Sequence, residues 1–135
     1  MEIICKENFK TNEWAGGITR EVCILPTEGS SLQDRNFELR VSSAVINTTE
    51  STFSDFTGFT RHILCLDGNI VLCVDGQTVD LSNDNLFEFD GAAKVSSVNT
   101  PGAVDLNVIY KRGTRVRARV AHGEHLFADV ERMLV

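Results

Sequence analysis

The sequence predicts an all-β fold, built as either a barrel or a sandwich. Short runs of alternating or continuous apolar residues recur along the chain, separated by turns rich in Gly, Asp, Asn and Ser. Only one segment has its apolar residues at helical spacing. With 135 residues, the chain fits one domain, residues 1–135, and is long enough to bury a hydrophobic core.

Two strands are predicted in the first third of the chain, on either side of a polar loop. The first covers Ile18–Leu25 and ends at Pro26, after a loop-like segment, Asn8–Gly17. The second covers Phe37–Ile46, and successive side chains of a strand point to opposite faces. Its apolar face is Phe37, Leu39 and Val41, and its other face is Arg40, Ser42 and Ala44.

A hairpin is predicted in the middle of the chain, between the apolar runs His62–Leu66 and Ile70–Val74. The two runs flank Asp67-Gly68, and Asp-Gly suits a type I′ turn because both central residues need positive φ. Both runs are apolar at nearly every position, which indicates strands covered on both faces. Asp75-Gly76 and Asp90-Gly91 are predicted to form further turns.

Five more strands and one helix are predicted after this hairpin. The strands are Gln77–Leu81, Leu86–Phe89, Lys94–Val98, Asp105–Tyr110 and Arg115–Val120. In the fourth of them, Asp105, Asn107 and Ile109 share one face. The helix covers Glu124–Val135, because Leu126, Val130, Met133 and Leu134 fall at helical spacing.

Charge and cysteine usage narrow the possible partners and the compartment. The formal net charge of −6 argues against nucleic-acid binding and against an anionic membrane surface. No apolar run approaches the length of a membrane span, and the N-terminus lacks a secretory signal pattern. The four cysteines, Cys5, Cys23, Cys65 and Cys73, form no C-x-x-C pair, so we expect reduced thiols and a cytoplasmic protein.

Six segments, in the right order and spacing, resemble motifs of the HutD/Ves family. They are Trp14–Glu21 (WAGGITRE), Arg40–Ala44 (RVSSA), Phe53–Arg61 (FSDFTGFTR), Leu66–Gly68 (LDG), Phe89–Gly91 (FDG), and Asp105–Val108 (DLNV) with Arg112-Gly113. The resemblance implies a cupin-like β-barrel, an RmlC-like jelly roll. It also implies kinship with a protein of histidine utilisation that binds a small acidic metabolite, such as urocanate or formylated glutamate, and acts as a regulator.

Polar side chains on otherwise apolar strands are the candidate ligand-binding residues. They are Arg61, Arg40, Ser42, Asp105 and Asn107, and the best-matched family segment adds Thr19, Arg20 and Glu21. Buried without partners, such groups are costly, so they must satisfy one another or a ligand. Arginines beside Asp, Asn and Ser suit a small carboxylic acid. Alternation alone does not decide which face of Thr19, Arg20 and Glu21 reaches the site.

Aromatic residues of the same segments are candidates for the pocket wall: Trp14, Phe53 and Phe56. Two other interpretations of the polar set remain open. Arg61 could pair with Asp105 in a purely structural network, or the interior could be closed in an interaction module.

Catalysis and metal binding have weak sequence support. Metal-dependent cupins use an H-x-H pair, whereas this chain has only His62, His122 and His125, the last two spaced H-x-x-H. A metal-free RmlC-like isomerase or epimerase is the alternative function, with His62 as acid–base residue. However, His62 points outward if Arg61 points inward. We therefore predict a non-enzymatic binding protein without cofactor, for a small anionic metabolite, with a homodimer as its candidate assembly.

Overall fold

The computed structural model describes residues 10–26, 28–121 and 125–131, and these residues form twelve β-strands and no helix. The strands are β1 (Lys10–Trp14), β2 (Gly17–Leu25), β3 (Leu39–Ile46), β4 (Glu50–Thr52), β5 (Phe59–Asp67), β6 (Ile70–Val74), β7 (Gln77–Asp80), β8 (Phe87–Asp90), β9 (Val95–Asn99), β10 (Ala103–Lys111), β11 (Arg115–Ala121) and β12 (His125–Glu131). A search of these residues for a helix long and apolar enough to cross a membrane finds none.

All strand pairs are antiparallel, and the strands form three sheets. The largest has the order β1-β2-β3-β10-β5-β8, the second β4-β9-β6-β7, and β11 pairs with β12. The all-β prediction is confirmed. The closed barrel is not: no ladder of backbone hydrogen bonds joins the outer strands of the two larger sheets within the described part of the chain. These two sheets therefore form an open arrangement.

One hydrophobic cluster lies between the two larger sheets. Ile46 and Ile63 come from the six-stranded sheet, whereas Ile70, Leu72 and Val95 come from the four-stranded sheet, and all five are buried in this cluster. A second cluster, which includes Leu39, Leu64 and Val108, lies on the opposite face of the six-stranded sheet. A third cluster at one end of the large sheet is mostly aromatic, and its buried members are Phe37, Phe56, Phe59 and Ile109. Burial of apolar side chains from both sheets provides the main driving force that holds the sheets together.

The hairpin predicted at Asp67-Gly68 is wrong, because its two apolar runs belong to different sheets. β5 pairs with β10 and β8, whereas β6 pairs with β9 and β7. Only Gly68 of this dipeptide has positive φ, at 78°, so the chain crosses between the sheets here without a type I′ turn. The type I′ geometry occurs instead at Asp75-Gly76, with φ of 46° and 85°, where Val74 pairs with Gln77.

The predicted C-terminal helix is also wrong. Residues His125–Glu131 form β12, which pairs with β11 from Ala121 opposite His125 to Arg115 opposite Glu131. In this register Leu126, Ala128 and Val130 oppose the apolar residues of β11, so the alternation of the two segments matches. Glu124 and the residues after Glu131 lie outside the described residues, as does His122.

The N-terminal region differs from expectation in two further ways. Asn8–Gly17 is predicted as a loop, but its described part contains β1, a polar edge strand joined to β2 by the two-residue turn Ala15-Gly16. Cys23 is disulfide-bonded, whereas Cys65 and Cys73 are free. The expectation that all four cysteines are reduced is therefore wrong for Cys23.

Candidate functional site

The inner face of the six-stranded sheet brings the predicted polar residues together in three cross-strand rows of β3, β10 and β5. The rows are Arg40 with Ile109 and Arg61, Ser42 with Asn107 and Ile63, and Ala44 with Asp105 and Cys65. Because directly opposed residues of neighbouring strands lie on the same face, all these side chains point to the same side of the sheet. The separate polar faces predicted for β3, β5 and β10 are thus one surface.

The register of β2 against β3 decides which side of the Thr19–Glu21 segment reaches this surface. Thr19 pairs with Ala44 and Glu21 with Ser42, but the next pair is Cys23 with Val41, so Val22 is extra. Thr19 and Glu21 therefore lie on the inner face. Arg20 lies on the opposite face and is exposed, so the structure does not bring it together with the other predicted site residues.

The inner face and the segments around it enclose a cavity of about 330 Å³. Its lining includes Arg40, Ser42, Arg61, Asp105, Asn107 and Thr19, together with the predicted wall residues Trp14, Phe53 and Phe56. Glu21 is not part of the lining but contacts it through Arg40. A cavity of this size suits a ligand of small-metabolite dimensions.

Arg61 is buried in the cavity wall, with only 5% of its surface exposed. Its Nη2 donates to Asn107 Oδ1 at 3.1 Å, and its Nη1 donates to the Ser54 carbonyl at 3.3 Å. Its Cζ lies 5.3, 5.0 and 5.2 Å from the ring centroids of Phe53, Phe56 and Phe89, within the range of cation–π attraction. Burial lowers the pKa of Arg61 to about 10, which leaves it charged at neutral pH.

The carboxylate of Glu21 holds Arg40 in place, whereas the sequence predicts Glu21 only as a ligand contact. Arg40 Nε donates to Glu21 Oε1 at 3.0 Å, in an ion pair whose side chains are 4% and 12% exposed. Its Nη1 donates to Ser42 Oγ at 3.3 Å. Glu21 therefore orients and neutralises Arg40 rather than lining the cavity itself.

Asp105 lies deeper and is linked to Arg61 through Asn107 rather than by a direct ion pair. Asp105 Oδ1 accepts the Ala44 N–H at 2.9 Å, and the Asn107 amide also hydrogen-bonds the carboxylate. Burial raises the pKa of Asp105 to about 6, and the hydrogen bonds and Arg61 offset this only in part. The chain of contacts from Arg61 to Asn107 to Asp105 fixes the carboxylate within the wall.

The buried polar network is incomplete at two N–H groups. Arg40 Nη2 and Arg61 Nε have no hydrogen-bond partner among the described residues, although both atoms are buried. An unpaired buried donor is costly, and more so when it is charged. Both atoms are inaccessible, so neither unpaired N–H group faces the open space of the cavity that the two side chains line.

Replacing Glu21 by glutamine is expected to lower the free energy of unfolding by about 2 kcal/mol, because the buried Arg40 loses its carboxylate while keeping a neutral acceptor. Urea denaturation would measure the loss. Asp90→Asn is the matched control, since the Arg112–Asp90 pair is 63% and 55% exposed and is expected to contribute under about 1 kcal/mol. Equal effects of the two substitutions would contradict the structural role of Glu21.

Sequence reasoning missed Arg35, a third arginine near the cavity. It lies in the loop between β2 and β3, with φ of 53°, and its Cζ stands 3.8 Å from the ring centroid of Phe56. It donates to the Leu32 carbonyl at 2.7 Å, and burial and the charge of Arg40 both lower its pKa. Nothing in a polar loop sequence predicts such a position, because loop conformation depends on what the loop packs against.

His62 lies on the other face of β5, as alternation predicts for an inward Arg61. Its Nε2 is 2.9 Å from Tyr110 Oη and 3.8 Å from Glu88 Oε2. No histidine occurs among the described residues that line the cavity. The isomerase alternative depended on His62 acting inside the barrel, and the structure places it elsewhere. Among described residues, no group of three or more His, Cys, Asp or Glu could hold a metal ion.

A comparison with models of known protein families shows to which family the chain belongs. A model of the HutD family matches residues 6–134. The chain belongs to the HutD family. The resemblance found in six sequence segments is thereby confirmed, and all of these segments lie within the matched range.

Two solved structures at 30% identity support this membership of the HutD family. They are a conserved protein of unknown function from Pseudomonas aeruginosa, with a TM-score of 0.72 over 83% of this chain and 58% of that chain, and HutD from Pseudomonas fluorescens, with a TM-score of 0.71 over 83% and 61%. The chain thus spans about three fifths of the length of these two proteins. A comparison with curated proteins found no match.

More distant structures connect this HutD-family chain to the cupin fold. The Cupin_2 domain of an XRE-family transcriptional regulator from Enterobacter cloacae is 14% identical, with a TM-score of 0.54 over 71% of this chain and 96% of that domain. At this identity the likeness concerns the fold alone. The cupin-like part of the fold prediction is therefore confirmed, without its closed barrel and its helix.

Proposed function

We propose that this HutD-family protein binds a small carboxylic acid in the cavity of the six-stranded sheet, and that it senses or sequesters the acid without catalysis or cofactor. The observation that carries the proposal is a pair of buried guanidinium groups, Arg40 and Arg61, that line one cavity of about 330 Å³. Guanidinium N–H groups match the geometry of a carboxylate better than any other side-chain donor.

The alternative of a self-satisfied structural network has less support. Glu21 satisfies Arg40 in part, and Asn107 connects Arg61 to Asp105, so every member of the polar set has at least one partner. A purely structural network would leave no space beside its polar groups. A cavity of about 330 Å³ lies against both guanidinium side chains, so a ligand site fits the structure better.

The ligand is proposed to come from histidine utilisation, as the family resemblance implies. Formate is a suitable minimal probe as well, because HutD of Pseudomonas fluorescens was solved in a formate condition. The proposed test is a thermal-shift and calorimetric titration with formate, urocanate and N-formylglutamate. We expect at least one of them to raise the melting temperature in a concentration-dependent way, because a ligand that binds only the folded state stabilises it.

Trp14 provides an independent readout of cavity occupancy. It is the only tryptophan of the chain, it lines the cavity, and its Nε1 donates to Thr19 Oγ1 at 2.9 Å. A non-absorbing acid such as N-formylglutamate should therefore change the Trp14 emission with the same midpoint as the calorimetric titration. If none of the three acids changes either signal, the proposed function is wrong.

The assembly, partners and compartment expected from the sequence are also proposals. We propose a homodimer as the assembly. The net charge of −6 argues against a nucleic-acid partner and an anionic membrane surface. We also propose a cytoplasmic location. The disulfide at Cys23 is more usual in oxidising compartments, so cell fractionation is the measurement that decides the compartment.

A further inference from the structure

The chain contains three Asp-Gly dipeptides, Asp67-Gly68, Asp75-Gly76 and Asp90-Gly91. Asp-Gly is prone to a spontaneous covalent rearrangement, because glycine has no side chain to shield its amide nitrogen from the carboxyl carbon of the preceding aspartate. The rearrangement requires this nitrogen to lie against the carboxyl group. The three aspartates therefore differ in reactivity according to what holds each carboxylate.

Two of the three carboxylates are bonded to groups other than the glycine that follows them. Asp75 Oδ1 accepts the Lys94 N–H at 2.9 Å. Asp90 Oδ1 accepts the Ala92 N–H at 2.8 Å, and its Oδ2 accepts Arg112 Nη2 at 2.9 Å. Rearrangement at either site would first have to break these contacts.

The carboxylate of Asp67 is held differently, because it contacts the nitrogen that would attack it. Asp67 Oδ1 accepts the N–H of Gly68 at 3.0 Å. The carboxyl carbon is one bond from this oxygen, so it lies within about 3–4 Å of the nitrogen, close to the separation of a near-attack arrangement. Both residues are exposed, so water can leave and enter.

The fold also requires a glycine at position 68. Its φ is 78°, and an added Cβ would stand 2.7 Å from Thr100 Oγ1 and 3.1 Å from Ala103 Cα. The next residue is tied to the same segment, since the Asn69 N–H donates to Thr100 Oγ1 at 3.0 Å. The crossing between the two sheets thus excludes a side chain that would shield the nitrogen, and holds the backbone around it.

We propose that Asp67-Gly68 is a site of spontaneous succinimide and isoaspartate formation in the folded protein. The Gly68 nitrogen attacks the carbon of the protonated Asp67 carboxyl group, a C–N bond forms, and the carboxyl hydroxyl leaves with the amide proton as one water molecule. Water then opens the five-membered ring at either carbonyl and yields aspartate or isoaspartate. In isoaspartate the main chain runs through the side-chain carboxyl, so the crossing from β5 to β6 becomes one methylene longer.

This inference is independent of the proposed function, because neither Asp67 nor Gly68 is part of the cavity lining. The change would nevertheless reach the inner face of β5. Cys65 Sγ lies 3.3 Å from the carbonyl oxygens of both Asp67 and Gly68, and isoaspartate formation displaces these carbonyl groups.

Peptide mapping of aged protein tests the proposal with internal controls. Folded protein is kept in mildly acidic buffer at physiological temperature for several weeks and then digested with trypsin. One tryptic peptide, His62–Lys94, contains all three dipeptides, and fragmentation in the mass spectrometer locates each isoaspartate. Isoaspartate is expected to accumulate at Asp67 at least about fivefold faster than at Asp75 or Asp90, because only Asp67 contacts the attacking nitrogen.

The same incubation in urea separates structure from local sequence. Unfolding removes the contacts of all three carboxylates, so the three rates are expected to agree within about a factor of two. Asp67→Glu is expected to abolish the modification at this position in folded protein, since a six-membered ring forms far more slowly, and to leave the other two rates unchanged.

Three results would overturn the proposal. The first is conversion of Asp75 or Asp90 in folded protein as fast as that of Asp67. The second is no isoaspartate at Asp67 in folded protein, while the unfolded chain forms it. The third is a preference for Asp67 that is as large in urea as in buffer, which would assign it to the neighbouring sequence and not to the fold.

Discussion

Replacing Arg61 by methionine is expected to weaken binding of a small carboxylic acid about 10- to 100-fold, because one charge-assisted interaction contributes about 1.5–3 kcal/mol. The fold should survive the change. Burial already disfavours the charged form of Arg61 and lowers its pKa to about 10, so an apolar replacement of similar length relieves a desolvation cost. Methionine can also pack between Phe53, Phe56 and Phe89, which surround the guanidinium.

Calorimetry with the acid that gives the largest thermal shift would measure this effect, beside a urea denaturation of the same variant. Arg112→Met is the matched control, because Arg112 is an exposed arginine that pairs with Asp90 outside the cavity. We expect the control to keep its affinity. Unchanged affinity in the folded Arg61→Met protein would show that the acid binds elsewhere, whatever the cavity contains.

The inner polar face of the sheet could be predicted because strand alternation has a period of two. Alternation assigns Arg40 and Ser42 to one face of β3, and Asp105 and Asn107 to one face of β10, and the structure joins these faces. Which strands are neighbours could not be predicted from alternation, since pairing is a long-range property. The family resemblance predicts the fold class, but it does not state which strands are neighbours.

The faces of β2 change at one point. Thr19, Arg20 and Glu21 alternate regularly, so Arg20 is opposite in face to its neighbours, but the bulge at Val22 adds one residue and exchanges the faces after it. Thr19 and Glu21 are inward before the bulge, and Ile24 is opposite Arg40 after it. A bulge has no reliable sequence signature, so only its consequence for the register reveals it.

The errors at the hairpin and the helix come from patterns that fit two structures. Asp67-Gly68 matches a type I′ turn, yet Gly68 lies where an added Cβ would stand 3.1 Å from Ala103 Cα, in a crossing between sheets. Leu126 and Val130 are four residues apart, which is one helical turn but also an even number of strand steps. Pairing with the alternating residues of β11 selected the strand.

Replacing Asp105 by asparagine is expected to remove a pH dependence of stability between about pH 4 and pH 6. Burial raises the pKa of Asp105 from 3.8 to about 6, so the folded protein binds a proton there more tightly than the unfolded chain. The free energy of unfolding of the natural protein therefore falls as pH rises through this window. The loss is on the order of 3 kcal/mol, since the pKa values of the folded and unfolded states differ by about two and each pH unit between them contributes about 1.4 kcal/mol. It is absent in Asp105→Asn.

Urea denaturation of both proteins at a series of pH values would measure the difference between their stabilities, which isolates Asp105 from groups that both contain. His62 is such a group: burial lowers its pKa, so its contribution rises with pH, opposite to that of Asp105. Asp80→Asn, at an exposed position of β7, controls for the loss of any carboxylate.

A constant difference between the natural protein and Asp105→Asn would mean that Asp105 is already ionised near pH 4. The network of Arg61, Asn107 and the Ala44 N–H would then outweigh burial, because those contacts favour the carboxylate and burial opposes it.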